Sequence, residues 1–246
     1  MATSRAKKDP GQAKGKKTDK SSLSLSDTAY HHIKRMLLVN ELIAGQKIRS
    51  RDIAKKLNMS QTPVILALTR LENEGLVRSE ANKGFRVPEL DLDEARELYQ
   101  MRTLLEAWLV RDTAKKITDE QIEKLETLAR EHRSIRGEIY SRERLWADAR
   151  FHLALASFSG HRIGMKMLRE MFDRLYLRYR PERLSTVRMQ ETQKEHIELL
   201  EALKARDARK SASIMEDHIN RGQKRMLAGI KEEMEMRDTL DPWDIG

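Results

Sequence analysis

The stretch LWADARFHLAL places Asp148 and His152 four residues apart, one helical turn, on a face that also carries Leu145, Leu155 and Ala156. His196, in EHIELLEAL, lies on the side marked by Leu200 and Leu203, and His218, in SIMEDHIN, on the side marked by Ile214 and Met215. Three helices therefore aim one carboxylate and three imidazoles at a core. A neutral polar group buried without a partner costs about 2–7 kcal/mol, and a charge more, so something must satisfy them. Three neutral imidazoles and a carboxylate suit one divalent ion, Zn first, with Ni, Mn or Fe also compatible, and leave positions open for water or an anionic ligand. A buried Asp–His hydrogen-bond network, or unrelated core histidines, would satisfy the same positions without a metal. His31, His32, His132 and His161 show no comparable convergence. Arg102, in ELYQMRTLLEAWL, falls near the face of Leu98, Met101 and Leu105. There a guanidinium can clamp a carboxylate ligand in two-point geometry or pair with its helix neighbour Glu106.

The elements that must position these groups are helices. From residue 89 to 236 the apolar spacing predicts an all-helical domain, with helices over 92–116, 119–136, 142–158, 161–179, 186–205 and 208–236. Asp91, Thr118, Ser141, Ser185 and Asp207 supply the starts, and Gly160 and Pro181 punctuate the joins. The tail 237–246 has no period and is expected to fray.

A different pattern fills residues 23–88. Tyr30, Ile33 and Leu37 mark one helix, IAGQKI reads as a turn into a short extended piece, and Ile53, Ala54 and Leu57 mark a second helix from Ser50. After a tight connection, SQTPVILALTRLENEGLV reads as a third helix with Ser60 as N-cap, Val64, Leu68 and Leu71 inward, and Gly75 as the stop. Two short helices joined this way form a helix-turn-helix, whose second helix offers its N-terminal residues to base edges in the major groove. Gln61 and Thr62 occupy that position, and a Gln amide can pair with adenine through two hydrogen bonds. Two β-prone stretches then flank Asn82-Lys83-Gly84, a hairpin turn that makes a wing, with Lys83 at its tip and Arg86 beside it as phosphate or minor-groove contacts. A small helical bundle capped by its hairpin fits the same pattern.

Charge supports the first of these. The net charge of +9 divides unevenly: residues 1–22 carry seven basic and two acidic groups, residues 23–88 eleven and six, and the remainder 30 and 31. The excess sits in the first third, as expected of a segment that meets a polyanion. Residues 1–22 are nearly devoid of apolar side chains and are expected to be a disordered basic arm, either adding phosphate contacts or serving only as a solubilising tail. With 246 residues and 39% hydrophobic content the chain can build two small cores. The absence of cysteine excludes disulfides and thiolate metal sites and suits a cytoplasmic location. No apolar run reaches the length of a membrane span.

In these segments the sequence resembles the GntR family of bacterial transcription regulators, in the branch with an all-helical, FadR-like (FCD-type) ligand domain. RDIAKKLNMSQTPVILALTRLENEGLVRSEANKGFRV is similar to the family's winged-helix motif, and D-x-x-x-H, EH and DHI match its metal-site positions. The resemblance implies DNA contacts from Arg51, Ser60, Gln61, Thr62, Lys83 and Gly84, and metal ligation by Asp148, His152, His196 and His218. It also implies a homodimer reading an inverted-repeat operator in double-stranded DNA, and a small carboxylate effector. The family usually has Arg where this chain has Gln61 and Ile65, so the operator preference does not carry over. The expectation is a mainly α protein, a winged helix-turn-helix followed by a helical bundle, acting as a ligand-responsive regulator and read as a repressor. The competing functions are a metal-dependent enzyme acting on a small organic acid, against which no further general base stands beside the four ligands, and a nonspecific DNA binder.

Overall fold

A computed structural model describes residues 23–81, 83–135, 141–179 and 189–239. In the N-terminal unit, helix α1 (Leu25–Leu38) starts at Ser24, whose hydroxyl accepts from the Asp27 amide at 3.0 Å. Strand β1 (Lys47–Ile48) leads into α2 (Ser50–Lys56) and α3 (Gln61–Asn73). The α2–α3 connection turns on Asn58, whose φ of +51° is left-handed backbone that Asn tolerates better than most residues. Ser60 occupies the N-cap position of α3 with extended backbone, but its hydroxyl makes no capping bond. At the other end Gly75, φ +75°, lets the Gly75 and Leu76 amides return to the Glu72 and Leu71 carbonyls, both at 2.9 Å, which is the glycine-dependent helix stop.

Strands β2 (Arg78–Glu80) and β3 (Gly84–Arg86) form the wing, and β1 joins them in an antiparallel sheet of order β1-β3-β2. Gly84 has φ +86°, and a Cβ there would lie 2.9 Å from the Ile48 carbonyl oxygen, so the register of β1 on β3 requires glycine. Val64, Leu68 and Leu71 of α3 are fully buried against Tyr30, Ile33 and Leu37 of α1. Each such side chain contributes about 1.5–3 kcal/mol by leaving water.

The second unit is all-helical among the described residues: α4 (Leu92–Lys116), α5 (Asp119–Ser134), α6 (Arg142–Ser157), α7 (Arg162–Arg178), α8 (Met189–Lys204) and α9 (Ala208–Thr239). Asp91, Thr118 and Ser141 cap α4, α5 and α6 as their spacing predicts, and Thr118 forms a reciprocal capping box with Gln121. The Asp207 carboxylate accepts from the Lys210 amide at 2.9 Å and starts α9. That helix runs three residues beyond its expected end, because no helix breaker precedes Pro242. The expected start at Ser185 and the join at Pro181 lie outside the described residues, as do the arm 1–22 and Asn82. Helix α4 lies along α9, while α5, α6, α7 and α8 complete the core around Phe151, Leu168, Phe172 and Leu203. Leu177 of α7 belongs instead to the N-terminal core, and Trp146 of α6 touches both.

Candidate metal centre and DNA-reading surface

Helices α6, α8 and α9 bring Asp148, His152, His196 and His218 together in the second core, where all four are buried. One ligand atom from each lies within 4.8 Å of every other. The His152 and His218 Nε2 atoms are 3.0 Å apart, and Asp148 Oδ1 is 3.4 Å from His196 Nε2 and 3.8 Å from His152 Nε2. Ligand atoms about 2.0–2.2 Å from a shared ion are separated by distances of this size.

Two glutamates fix how the imidazoles are protonated. His152 Nδ1 donates to Glu106 Oε2 at 2.5 Å, and His218 Nδ1 donates to Glu195 Oε2 at 2.6 Å. With the proton on Nδ1, each ring presents a bare Nε2 lone pair to the centre, and two such lone pairs 3.0 Å apart repel unless a cation lies between them. Burial, with the neighbouring histidines, pushes His218 well below the ordinary imidazole value, which disfavours a His218 imidazolium in that role. Asp148 Oδ1 and His196 Nε2 face each other without a hydrogen bond to any described residue. This donor set fits a divalent ion.

Each glutamate is itself held by an arginine: Arg102 Nε donates to Glu106 Oε1 at 2.7 Å, and Arg221 Nε to Glu195 Oε1 at 2.6 Å. Burial opposes the Glu106 charge, but Arg102, and then His152, outweigh it and hold the carboxyl at about 2. The same opposition acts on Asp148, where burial is overcome by the three histidines and the carboxyl lies well below its usual range. Carboxylates that orient metal-binding imidazoles in this way raise ligand basicity. Sequence reading reached Glu106 only as a possible partner of Arg102, and missed Glu195 although it adjoins His196. Arg102 is buried, its guanidinium carbon 4.2 Å from the centroid of the Phe172 ring, and among the described residues its Nε alone makes a hydrogen bond.

His132 corrects the expectation that it stands apart. It is 1% exposed, its ring meets that of His196 edge-on at 5.4 Å, and neither nitrogen has a partner among the described residues. Burial lowers it to about 4. His196, stacked on Phe151 at 4.3 Å, also floors a groove of about 230 Å³ between α5 and α8, lined by Arg130, Arg133 and Gln193.

Helix α7 connects this centre to the N-terminal unit. One face carries Phe172, 5.8 Å from the His152 ring, and Tyr176, whose hydroxyl donates to Asp148 Oδ2 at 3.3 Å. The other face holds the winged unit: Lys34 Nζ reaches Asp173 at 2.5 Å, and Arg174 donates to the Glu74 carbonyl at 2.9 Å. Arg178 donates to the Gly75, Pro88 and Glu89 carbonyls.

On the winged unit, Gln61, Thr62, Arg51 and Lys83 are exposed, while Ser50 Oγ donates to Gln61 Oε1 at 3.1 Å. Arg51 and Lys83 make no ion pair among the described residues. Arg86 departs from expectation: it is committed to Glu80 at 2.6 Å and to the Gly45 carbonyl, so it braces the base of the wing.

The sequence profile of the gntR family of bacterial regulatory proteins matches residues 25–87, and that of the FCD domain matches residues 97–221. The chain belongs to the GntR family, in the branch that carries an FCD domain. The Nta operon transcriptional regulator of Aminobacter aminovorans is 29% identical over 191 residues, covering 76% of this chain and 87% of its own. McbR of Escherichia coli K12 is 26% identical, covering 75% and 85%. In fold the chain is similar to E. coli McbR/YncC, with a TM-score of 0.69 at 23% identity over 82% of this chain and 96% of that one. A GntR regulator of Rhodococcus sp. RHA1 also has a TM-score of 0.69, at 20% identity, covering 84% of this chain and 99% of its own. This GntR protein is a DNA-binding transcription regulator, and the enzyme reading gives way to that membership. Among the described residues no helix is long and apolar enough to cross a membrane.

Proposed function

We propose that this GntR regulator is a repressor whose FCD domain binds a divalent metal and, through it, a small carboxylate effector. The observation that carries the reading is the pair of Nε2 atoms of His152 and His218, 3.0 Å apart with both Nδ1 atoms committed to glutamates. Asp148, His152, His196 and His218 would hold the ion, with zinc the first candidate and nickel, manganese or iron compatible. When bound, the ion supplies a Lewis-acidic centre at which a carboxylate can complete the coordination. Arg102, with its terminal nitrogens uncommitted among the described residues, binds and orients that carboxylate.

Effector contact at Arg102 presses on Phe172, and α7 passes the displacement to Asp173, Arg174 and Arg178, hence to the winged unit. The contacts favour α7 over a route through α4 alone, since α7 grips α1, the end of α3 and the segment after the wing. A homodimer is supported by an exposed apolar strip: Met101, Leu104 and Trp108 on α4, beside Ile163 and Met167 on α7. Pairing these strips about a two-fold axis would present one α3 helix to each half-site of an inverted repeat, contacted through Arg51, Ser60, Gln61, Thr62, Lys83 and Gly84.

The test is calorimetric. Metal-loaded protein titrated with a panel of small mono- and dicarboxylates, with and without operator DNA, is expected to show one acid whose affinity changes with DNA by 5–150-fold or so, a coupling of about 1–3 kcal/mol. Arg102→Lys, which keeps a cation beside the buried Glu106 but cannot hold a carboxylate at two points, is expected to weaken that response and leave effector-free DNA binding intact. Equal affinities with and without DNA for every acid that binds would sink the reading.

A further inference from the structure

The outward face of α3 is half apolar. Gln61, Thr62, Ile65, Leu66 and Thr69 all point away from the core, and Ile65 and Leu66 are 43% and 58% exposed. Isolated apolar side chains on a surface need no explanation. These two belong to a unit in which Arg51 is also exposed and basic groups outnumber acidic ones by eleven to six, a balance that favours a polyanion as the partner.

Ile65 lies one turn beyond Gln61 on the same face. The Ser50 hydroxyl donates to Gln61 Oε1 and restrains the exposed amide, which keeps its two N–H donors and a second oxygen lone pair beyond that bond. That arrangement matches the adenine edge, which offers one acceptor and one donor. A helical turn advances about 5.4 Å and a base pair about 3.4 Å, so a side chain one turn on reaches one or two base pairs further. The apolar group that a base edge presents in the major groove is the 5-methyl of thymine.

We propose that Ile65 is a sequence-reading residue, packing on the methyl of a thymine one or two base pairs from the adenine read by Gln61. This rests on α3 being the helix that enters the groove. Leu66, one residue round the helix, widens the same apolar strip. Each half-site is then A·T-bearing under the first two turns of α3, and discrimination comes from shape and methyl burial where a charged side chain would have read guanine.

The experiment uses the full-length chain without added effector. A preferred duplex is selected from a random pool, and each thymine in its half-sites is then replaced singly by deoxyuridine, which removes only the methyl. One position per half-site is expected to weaken binding about fourfold, the worth of one buried methyl, and about fifteenfold when both half-sites are changed. Ile65→Ala, which removes a side chain outside the N-terminal core, is expected to bind the thymine and deoxyuridine duplexes equally. A selected site in which no single deoxyuridine weakens the wild type, or an Ile65→Ala variant that keeps the same sensitivity, overturns the proposal and leaves the groove-entering role of α3 standing. Equal binding to all duplexes in the pool overturns both.

Discussion

Arg178 and Glu94 form a two-point ion pair, Nη1 on Oε1 at 2.6 Å and Nη2 on Oε2 at 2.7 Å. The pair ties the end of α7 to the first turn of α4, and the same guanidinium satisfies three carbonyls around the wing. Removing it leaves those carbonyls and a half-buried carboxylate without their donor, so Arg178→Met is expected to cost about 2–4 kcal/mol. Differential scanning calorimetry is the check: the variant should show a separate, earlier transition of the winged unit. A single unchanged transition would mean that α7 does not couple the two cores.

The proposed metal centre predicts a dependence on outer partners as well as ligands. Purified protein repleted with zinc should carry about one ion per chain, and chelator should lower its melting temperature, because an ion bound only to the folded state stabilises it. His196→Ala and His218→Ala should abolish both effects. Glu195→Gln, which touches no ligand atom at the centre, should weaken metal binding about 10–100-fold by loosening the His218 tautomer. Competition with a chromophoric chelator measures each. Elemental analysis with no transition metal after repletion would leave the hydrogen-bond network as the explanation of the quartet.

His132 makes a prediction about pH. Its folded value is about 4 against an ordinary 6.5, so between these the unfolded chain takes up a proton that the folded chain refuses. Stability is therefore complete above about pH 6.5 and falls as pH drops toward 4, by about 3 kcal/mol from this group. Urea denaturation in chelator at pH 7, 6 and 5 should show the fall, and His132→Phe should flatten it. An identical slope in the variant would assign the acid sensitivity to the other histidines.

Arg51 and Lys83 should act through counterions. Replacing either with Ala should weaken binding to all duplexes alike and reduce the slope of log affinity against log salt by about 1. Gln61→Ala should instead change which sequences are selected. Fluorescence anisotropy over a salt series separates the two behaviours, and an unchanged slope would remove Arg51 or Lys83 from the phosphate contacts.

How much of this was legible before the fold depended on whether the cause was local. The helix starts at Asp91, Thr118 and Ser141 follow from side chains that bond an amide three residues away, and Gly84 announced the wing by its own backbone freedom. The Asp148–His152 pair could be read because both lie one turn apart on an apolar face, and His196 and His218 because their neighbours fix which face is inward. Glu195 was not legible as an imidazole partner, since it orients His218 from another helix and adjoins His196 only in sequence. His132 failed for a similar reason: its burial comes from α6 and α8 closing over α5. The connecting role of α7 left no trace at all, because Asp173, Arg174 and Arg178 look like the solvated side of an amphipathic helix until the winged unit is placed against them.

That double membership of α7 constrains how such proteins can be recombined. A hybrid that joins the DNA-binding half of this chain to the sensing half of a relative at Pro88 would follow the chain but cut across the contacts, leaving Lys34, Glu74 and Gly75 facing a foreign helix. A biosensor built from these parts should therefore transplant the Asp173–Arg178 segment along with the winged unit. Its response to the relative's ligand would then depend on whether the opposite face of that segment still meets the borrowed pocket.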